Sequence, residues 1–293
     1  MAVELSTGPG GERSAAEVSG DPMGSGDDLA GRTLDAGVGS EAEVSGEGTR
    51  HGLINWTQCG VLADRYLEIM LADFGGTLLL LLQAPFLAAL VVLVWSNLEQ
   101  PTRTLYFVMI LSCLWIGCMD ASREIVKERA LYLRERMVNL EVGAYLLSKV
   151  RVLVVLNTVQ VATYVGIIVY YLDVRIHTAW VAIGLWLATL TGTCLGLLIS
   201  SSVRRSDHAV ALVPLAILPQ IMFSEFAIGK EHFAGASRVI YALMPSRWGF
   251  EALENLARTS TDYWKALGAM ALLPLFGVGF LVLAYPLLRL KKY

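Results

Sequence analysis

The chain has 293 residues, of which 55% are hydrophobic and only 17% are charged, and its mean hydropathy is +0.55. Soluble domains contain about 25% charged residues, so this composition excludes an ordinary soluble enzyme. Residues 1–50 carry ten acidic residues and three arginines, whereas the other 243 carry sixteen acidic and twenty basic residues. The net charge of −3 therefore averages an acidic and a basic segment, and it does not indicate a nucleic-acid partner.

Residues 1–54 are predicted to be a disordered acidic tail. Their first fifty residues include eleven glycines and no aromatic residue, and such a segment has too little apolar surface to offset the entropy lost on folding. The start lacks a basic region followed by an apolar run, so no cleavable signal peptide is predicted.

An amphipathic helix is predicted over 55–74, at the start of a membrane domain that spans 55–293. One face of this helix is apolar and consists of Leu62, Tyr66, Ile69 and Met70. With Trp56 at its start, the helix is expected to lie in the membrane interface.

The fold class predicted for 55–293 is an all-α integral membrane domain with six spanning helices, because a bilayer core needs about 20 apolar residues in helical form. The six apolar segments are approximately 77–95, 105–120, 152–172, 179–201, 208–226 and 266–288. Asp120 and Glu225 lie at span ends, and no predicted span interior carries a charged residue. This argues against an ion-coupled pump. No catalytic constellation and no metal-ligand cluster is recognisable, so the chain by itself is not predicted to be an enzyme.

Four uncharged polar residues are predicted to form hydrogen bonds between helices. These residues are Gln83, Asn157, Gln160 and Gln220. Such bonds between membrane helices contribute about 0.6 kcal/mol each on average.

The basic residues predict the orientation of the domain. The connection 121–151 holds seven Lys and Arg residues, and the turn after the fourth span and the C-terminal segment raise the number on that side to twelve. The other side holds Arg103, Arg175 and five basic residues dispersed through 227–265. The positive-inside rule therefore places both termini in the cytoplasm. We expect an integral protein of the plasma (inner) membrane of the cell.

Residues 121–140 are predicted to form an amphipathic helix on the cytoplasmic side. Its apolar stripe recurs at spacings of four and three residues and consists of Val126, Ala130, Leu133, Met137 and Leu140. Charges of both signs cover the rest of the helix. Periodicity alone leaves two interpretations open: a solvated loop helix, which it slightly favours, or a surface that contacts a soluble partner.

Three stretches carry a resemblance to a known family. KERALYLRE at 127–135, followed by AYLLSK at 144–149, resembles the coupling-helix region of ABC transporter membrane domains, most closely that of the G-type (White/pleiotropic-resistance) subfamily of type-2 exporters. MPSRWGFEAL at 244–253 resembles the segment that follows the fifth span in that family. LPQIMFS at 218–224 resembles the end of that span, although Glu225 stands where members commonly have glycine. The likeness covers about 56–293.

The resemblance implies a permease that works with an ABC ATPase. No Walker motif of the form GxxxxGK[ST] occurs in the sequence, so the ATPase is expected on another chain, which would also bind the ATP and Mg²⁺. No cofactor is expected on this chain. Members pair two six-span domains in the lipid bilayer, so a homodimer or a pair with a related permease is expected. The residues expected to contact the ATPase are Arg123, Glu124, Lys127, Glu128, Arg129, Tyr132, Arg134, Glu135 and Arg136.

The resemblance also suggests a substrate cavity and an external motif. Spans two and five line the cavity in the family, which makes candidate wall residues of Phe107, Trp115, Pro219, Met222 and Phe223. An apolar wall would accept a hydrophobic or amphipathic substrate. Short re-entrant helices are expected to cap the external mouth, and their motif residues are Ser246, Arg247, Trp248 and Glu251. For each cavity residue, packing against lipid or another span remains an alternative.

A second class of function stays open at this point. The missing nucleotide-binding domain and the acidic tail also fit a non-transporting membrane anchor or regulatory scaffold derived from such a permease. Loss of a partner on deletion of residues 1–50 would distinguish this scaffold from an exporter subunit.

Overall fold

The computed structural model describes residues 56–97, 102–137, 140–172, 178–227, 229–257 and 262–290, all within one structural unit, Arg50–Tyr293. The predicted tail, 1–54, lies outside the described residues. Every regular element among the described residues is a helix, which confirms the all-α prediction. The α-helices are α1 (Trp56–Ala72), α2 (Phe74–Trp95), α3 (Arg103–Ser122), α4 (Glu124–Lys127), α5 (Arg129–Arg136), α6 (Val142–Leu172), α7 (Thr178–Ser202), α8 (Ser206–Met222), α9 (Ala236–Ala242), α10 (Pro245–Ala257) and α11 (Tyr263–Leu290).

Five helical segments in the described part of the chain are long and apolar enough to cross a membrane. They are Phe74–Trp95, Arg103–Lys127, Val142–Leu172, Thr178–Ser202 and Tyr263–Leu290. Each contains the whole of one predicted span. The remaining predicted span, 208–226, corresponds to α8, which is apolar but has only 17 residues. Because a bilayer core needs about 20 helical residues, the count of six spans stays a prediction.

The third spanning helix is longer than the sequence predicted. α6 begins at Val142, ten residues before the predicted start at 152. Lys149 and Arg151 therefore lie inside a helix of 31 residues rather than in a connection, although both precede the predicted span 152–172. Lys149 is 1% exposed, because a partner from a distant segment neutralises it, as described below.

The closest helix packing joins α3 to α7 through glycines. A Cβ at Gly117 would collide with the backbone of Thr189, and one at Gly192 would collide with the backbone of Leu114. Gly196, one turn after Gly192, faces the carbonyl of Cys118 in the same way. Small residues four positions apart let two membrane helices approach until their backbones touch. This pair forms the centre of the helix bundle.

The outer helices present apolar side chains. Only Ala84, Ala88 and Val91 of α2 are buried, and they lie at helical spacing on the side that faces α3 and α6. The rest of α2 is rich in leucine and half-buried or exposed, as expected of a helix that contacts lipid. α11 likewise exposes a row of leucine and valine residues along its length.

α1 packs against α6 through one apolar face. Cys59, Leu62, Ala63 and Tyr66 are buried there, whereas Ile69, which the sequence placed on the same face, is 45% exposed. Trp56 and other apolar side chains of α1 point away from the protein. Whether α1 lies in the membrane interface stays a prediction.

Polar side chains inside the bundle form hydrogen bonds between helices, as predicted. The Asn157 amide donates to Thr193 Oγ1 at 2.7 Å, joining α6 to α7. The Gln160 amide donates to the carbonyl of Leu80 at 2.9 Å, joining α6 to α2. Gln220 accepts from the backbone N–H of Ser246 at 3.1 Å, joining α8 to α10. These bonds satisfy N–H donors that would be costly to leave unpaired in an apolar interior.

Candidate functional site

The candidate coupling region consists of two short helices rather than one. The predicted helix 121–140 is interrupted at Arg123 and again at Glu128, which gives α4 and α5. At the first interruption the backbone N–H groups of Ile125 and Val126 donate to Ser200 Oγ of α7, at 3.0 and 3.1 Å. A hydroxyl from another helix thus satisfies N–H groups that a helix start leaves unpaired. The start of α4 is thereby tied to the end of α7.

Acidic side chains of α4, α5 and the interruption between them pair with α1 and α6. Glu128 forms an ion pair with Lys149 of α6, with 2.6 Å between carboxylate and ammonium. The Lys149 ammonium also lies 3.4 Å from the centroid of the Tyr66 ring, a cation–π contact with α1. The Tyr66 hydroxyl donates to Glu124 at 2.5 Å. Burial, and next the charge of Glu124, raise the pKa of Tyr66 well above its ordinary value, so the hydroxyl stays a donor.

Two further contacts hold α5 against its neighbours. Glu135 forms an ion pair with Arg65 of α1, in which Arg65 Nη2 and Glu135 Oε2 are 3.1 Å apart. This hydrogen bond raises the pKa of Arg65. The Arg136 guanidinium donates to the carbonyls of Leu288 and Arg289, at 2.9 and 2.6 Å, at the C-terminal end of α11. A cation there complements the partial negative charge of the helix end.

The pairs Glu124–Tyr66, Glu128–Lys149 and Glu135–Arg65, with Arg136 on α11, are called the clamp below. The clamp connects α4 and α5 to α1, α6 and α11. Tyr132 belongs to the same packing, because its ring lies 4.9 Å from that of Tyr145 and its side chain is 3% exposed. Most of the residues predicted to contact an ATPase therefore make contacts within the chain.

The residues of α4 and α5 that remain accessible are mainly basic. Arg134 is exposed, and Arg123 and Arg129 are half-buried. Lys127 is also exposed and lies 3.4 Å from Glu124. Arg134 borders a groove of about 480 Å³ between α1 and α5, lined by Gln58, Leu62, Leu131, Arg134, Glu135 and Leu140. An open groove with apolar walls and a basic rim can receive an apolar, acidic segment of a soluble protein.

The candidate cavity residues do not form one surface. Phe107 is buried in the core, where its ring lies 4.7 Å from that of Phe226 and 6.3 Å from that of Phe250. Trp115 is half-buried against the same core, and Pro219 and Phe223 are half-buried in and just after α8. Met222 is 58% exposed. Among these five residues, Met222 is the one with the most accessible side chain.

The external motif has a structural role at the opposite end of the bundle. Ser246 is buried and donates through its hydroxyl to the carbonyl of Gln220 at 3.2 Å. The Trp248 indole N–H donates to the carbonyl of Ala242 at 2.9 Å, which fixes α10 against α9. Arg247 lies 4.0 Å from Glu251, at the limit of an ion pair.

Sequence reasoning missed the role of Arg103 beside this motif. Its guanidinium pairs with Glu225 at 2.9 Å and with Glu254 at 2.8 Å. The residue is the first of α3, Glu225 follows α8, and Glu254 belongs to α10. The sequence shows Glu225 at the end of a predicted span, and such a charge needs a partner. No spacing in the sequence indicates that the partner is Arg103.

Asp120 is also more deeply placed than the sequence indicated. It lies near the end of α3, as predicted, but its side chain is 1% exposed. Asp120 Oδ1 accepts hydrogen bonds from the amides of Gln83 on α2 and Gln160 on α6. This cluster joins three spanning helices one turn before α4.

Replacing Asp120 tests this cluster. We expect Asp120→Asn to change the free energy of unfolding by less than about 1 kcal/mol, because asparagine keeps an acceptor for the two amides. Asp120→Leu leaves both amides without that acceptor and is expected to cost about 2–4 kcal/mol. Thermal unfolding of the purified protein in detergent measures both. Equal losses for the two variants would contradict the cluster's role.

Comparison with known proteins gives two matches. Residues 57–257 match the family described as ABC-2 type transporter. A protein of Mycobacterium tuberculosis (strain ATCC 25618 / H37Rv), named as an ABC transporter ATP-binding/permease protein, is 24% identical over 214 residues. These residues are 67% of this chain and 25% of that protein, so the chain spans about a quarter of the length of this curated relative.

Proposed function

Because the chain belongs to the ABC-2 type transporter family, and is therefore an integral membrane protein, we propose that it is the membrane-spanning permease subunit of an ATP-driven exporter. The observation that carries the proposal is the position of α5. Its basic residue Arg134 is exposed beside an open groove, while the clamp connects the same helix to α1, α6 and α11. A partner bound there would be mechanically connected to the spanning helices.

We place the α4–α5 end of the bundle in the cytoplasm. The basic side chains at that end include Arg123, Lys127, Arg129, Arg134, Arg136, Arg204, Arg205 and Arg289. The α10 end has fewer, and its Arg103 is paired with two carboxylates. The positive-inside rule supports this orientation, with α8 as the fifth of six spans and both termini in the cytoplasm of a plasma-membrane protein.

In the proposed complex, two six-span domains of the G-type arrangement pair, and each binds an ABC ATPase on another chain. ATP and Mg²⁺ bind to that ATPase, and closure of the two ATPase domains moves α5. The contacts of the clamp then transmit the movement, since Glu128 forms an ion pair with Lys149 of α6 and Arg136 donates hydrogen bonds to carbonyls at the end of α11. Short charge-assisted contacts suit this task because they resist separation in a buried setting. The substrate is proposed to be hydrophobic or amphipathic.

The charge of Arg134 provides the test of the docking surface. We expect Arg134→Glu to weaken binding of the ATPase by about tenfold, because a basic contact at the groove becomes repulsive to an acidic partner. ATP-driven transport should fall in parallel, while insertion and thermal stability stay unchanged. Glu135 is unsuitable for the same purpose, because its replacement would also break the contact with Arg65.

Arg204→Glu is the matched control. Arg204 is exposed at the same end, so this variant makes the same charge change on the same side of the membrane. It should leave ATPase binding within about twofold of the original chain. Normal ATPase binding by Arg134→Glu would count against docking at α5.

The partner is found by purifying the full chain from native membranes in mild detergent, followed by mass spectrometry and an ATPase assay. Recovery of a subunit with a Walker motif that hydrolyses ATP supports the exporter. Recovery of the chain with non-ATPase partners alone favours the membrane anchor or scaffold instead.

A further inference from the structure

An apolar cavity lies between α11 and the junction of α9 and α10. Its volume is about 580 Å³, and its walls are almost wholly apolar. Residues that line it include Leu243, Trp248, Leu272, Leu275, Gly279 and Leu283. It belongs neither to the clamp nor to the candidate substrate wall.

The shape of this cavity follows α11. Leu272 and Leu283 are separated by about 16 Å along the helix, at a rise of 1.5 Å per residue. That length is about half of a hydrocarbon core 30 Å thick. Leu275 and Leu283 are 63% and 56% exposed, although they belong to a membrane-spanning helix. Their exposed surface therefore faces the hydrocarbon of the bilayer.

A basic side chain lies at the Trp248 end of the cavity. The Arg247 guanidinium is 4.2 Å from the centroid of the Trp248 ring and 4.4 Å from that of the Tyr241 ring. Trp248 is also part of the cavity wall, so one indole ring separates the cation from the apolar space.

The position of Arg247 makes its charge costly. Gly249, two residues later, packs against Ile110, which lies about 10 Å along α3 from the first residue of that helix. Arg247 therefore lies below the end of the bundle, at a depth where an uncompensated charge is unfavourable. Its nearest carboxylate, on Glu251, is 4.0 Å away and 37% exposed.

Arg103, at the same end of the bundle, differs from Arg247 because its charge is neutralised by close carboxylates. Its guanidinium has two carboxylate partners within 2.9 Å. The Arg247 guanidinium donates no hydrogen bond to another residue in the described part of the chain, although two aromatic rings hold it in place. A guanidinium fixed in this way can donate several hydrogen bonds to an anion with several acceptor oxygens, such as a phosphate.

We propose that this cavity binds one acyl chain of an anionic phospholipid, whose headgroup phosphate accepts hydrogen bonds from Arg247. The apolar cavity along α11 holds the acyl chain, and the Arg247 guanidinium selects an anionic headgroup. The exposed face of a spanning helix favours a lipid over a soluble ligand. This inference depends on membrane insertion of α11 but not on transport or on an ATPase.

The test places the full-length chain in nanodiscs of phosphatidylcholine that contain a small fraction of photoreactive phosphatidylglycerol, with a diazirine on one acyl chain. A parallel sample replaces this probe with photoreactive phosphatidylcholine that carries the diazirine on the same acyl chain. After irradiation, mass spectrometry measures labelling of residues 272–283 relative to the exposed leucines of α2. We expect the anionic probe to label this segment about fivefold more than the zwitterionic probe, because one basic residue contributes about 1 kcal/mol of attraction.

Two variants separate the roles of groove and cation. Gly279→Leu fills the groove without a clash, because no atom lies within 4 Å of a Cβ at that position, and it should remove most of the label. Gly268→Leu is the matched control, because it makes the same change on the same helix at another open position outside the cavity. Arg247→Gln should keep labelling by both probes but lose the preference for the anionic one.

Three outcomes would overturn the proposal. The first is equal labelling of residues 272–283 by the two probes in the original chain. The second is equal labelling of the Gly279→Leu and Gly268→Leu variants. The third is crosslinking of α11 to a second copy of the chain in place of lipid, which would make the cavity an interface between protomers.

Discussion

Gly192→Leu is expected to abolish folding of the membrane domain. A Cβ at position 192 lies only 3.0 Å from the backbone carbon and Cα of Leu114, and closer still to the carbonyl oxygen. The obstacle is backbone, which cannot move aside as a flexible side chain could. α3 and α7 would have to separate along their whole contact, including Gly117 and Gly196. We expect a loss of more than about 4 kcal/mol, beyond the range of ordinary single substitutions.

The measurement is the yield of monodisperse protein by size-exclusion chromatography in detergent, followed by thermal unfolding. Gly166→Leu is the matched control, because position 166 lies in the spanning helix α6 and has no atom within 4 Å of a Cβ. It should fold normally. A folded Gly192→Leu protein with an unchanged unfolding temperature would show that α3 and α7 are farther apart than described.

Glu128→Gln is expected to lower the free energy of unfolding by about 3–5 kcal/mol. It removes the carboxylate that neutralises Lys149, whose side chain is 1% exposed, and a buried ion that loses its partner is strongly destabilising. The Tyr66 ring would remain against the ammonium, and this cation–π contact, which contributes about 2 kcal/mol or more when desolvated, would offset part of the loss.

The double variant Glu128→Gln with Lys149→Met distinguishes this cause from a general weakness of α4 and α5. It removes both charges and should restore most of the lost stability, since an apolar side chain of similar length replaces the buried ammonium. Lys127→Met is the control for an exposed pair, and its effect should be below about 1 kcal/mol. Failure of the double variant to recover stability would refute the neutralising role of Glu128.

The predicted ATPase-contacting residues fall into two groups: those that make contacts within the chain and those that stay accessible. The nine residues predicted to contact an ATPase include Glu124, Glu128 and Glu135, which make contacts within the chain. Changing any of them would alter stability. Arg134 is exposed at the groove and belongs to none of these pairs, so a change there leaves the clamp intact.

The sequence by itself determined the features that depend on local pattern. Long apolar runs predicted six spanning helices, because backbone groups in a bilayer must be satisfied within a helix. Five of them correspond to helices in the described part of the chain that are long and apolar enough to cross a membrane. The motifs at 127–135 and 244–253 indicated the family to which residues 57–257 match. The four uncharged polar residues predicted bonds between helices, because a polar group in an apolar interior needs a partner.

The tertiary structure alone decided which residues meet. Lys149 and Glu128 are 21 positions apart, Arg65 and Glu135 are 70 apart, and Arg103 and Glu225 are 122 apart. No periodicity relates such positions, because helical spacing describes neighbours within one helix and says nothing about the next. The break in 121–140 has the same origin: Ser200 of α7 satisfies the N–H groups at the start of α4. Packing of distant segments, rather than local preference, therefore separates the residues that hold the candidate coupling region together from those that stay accessible at the groove.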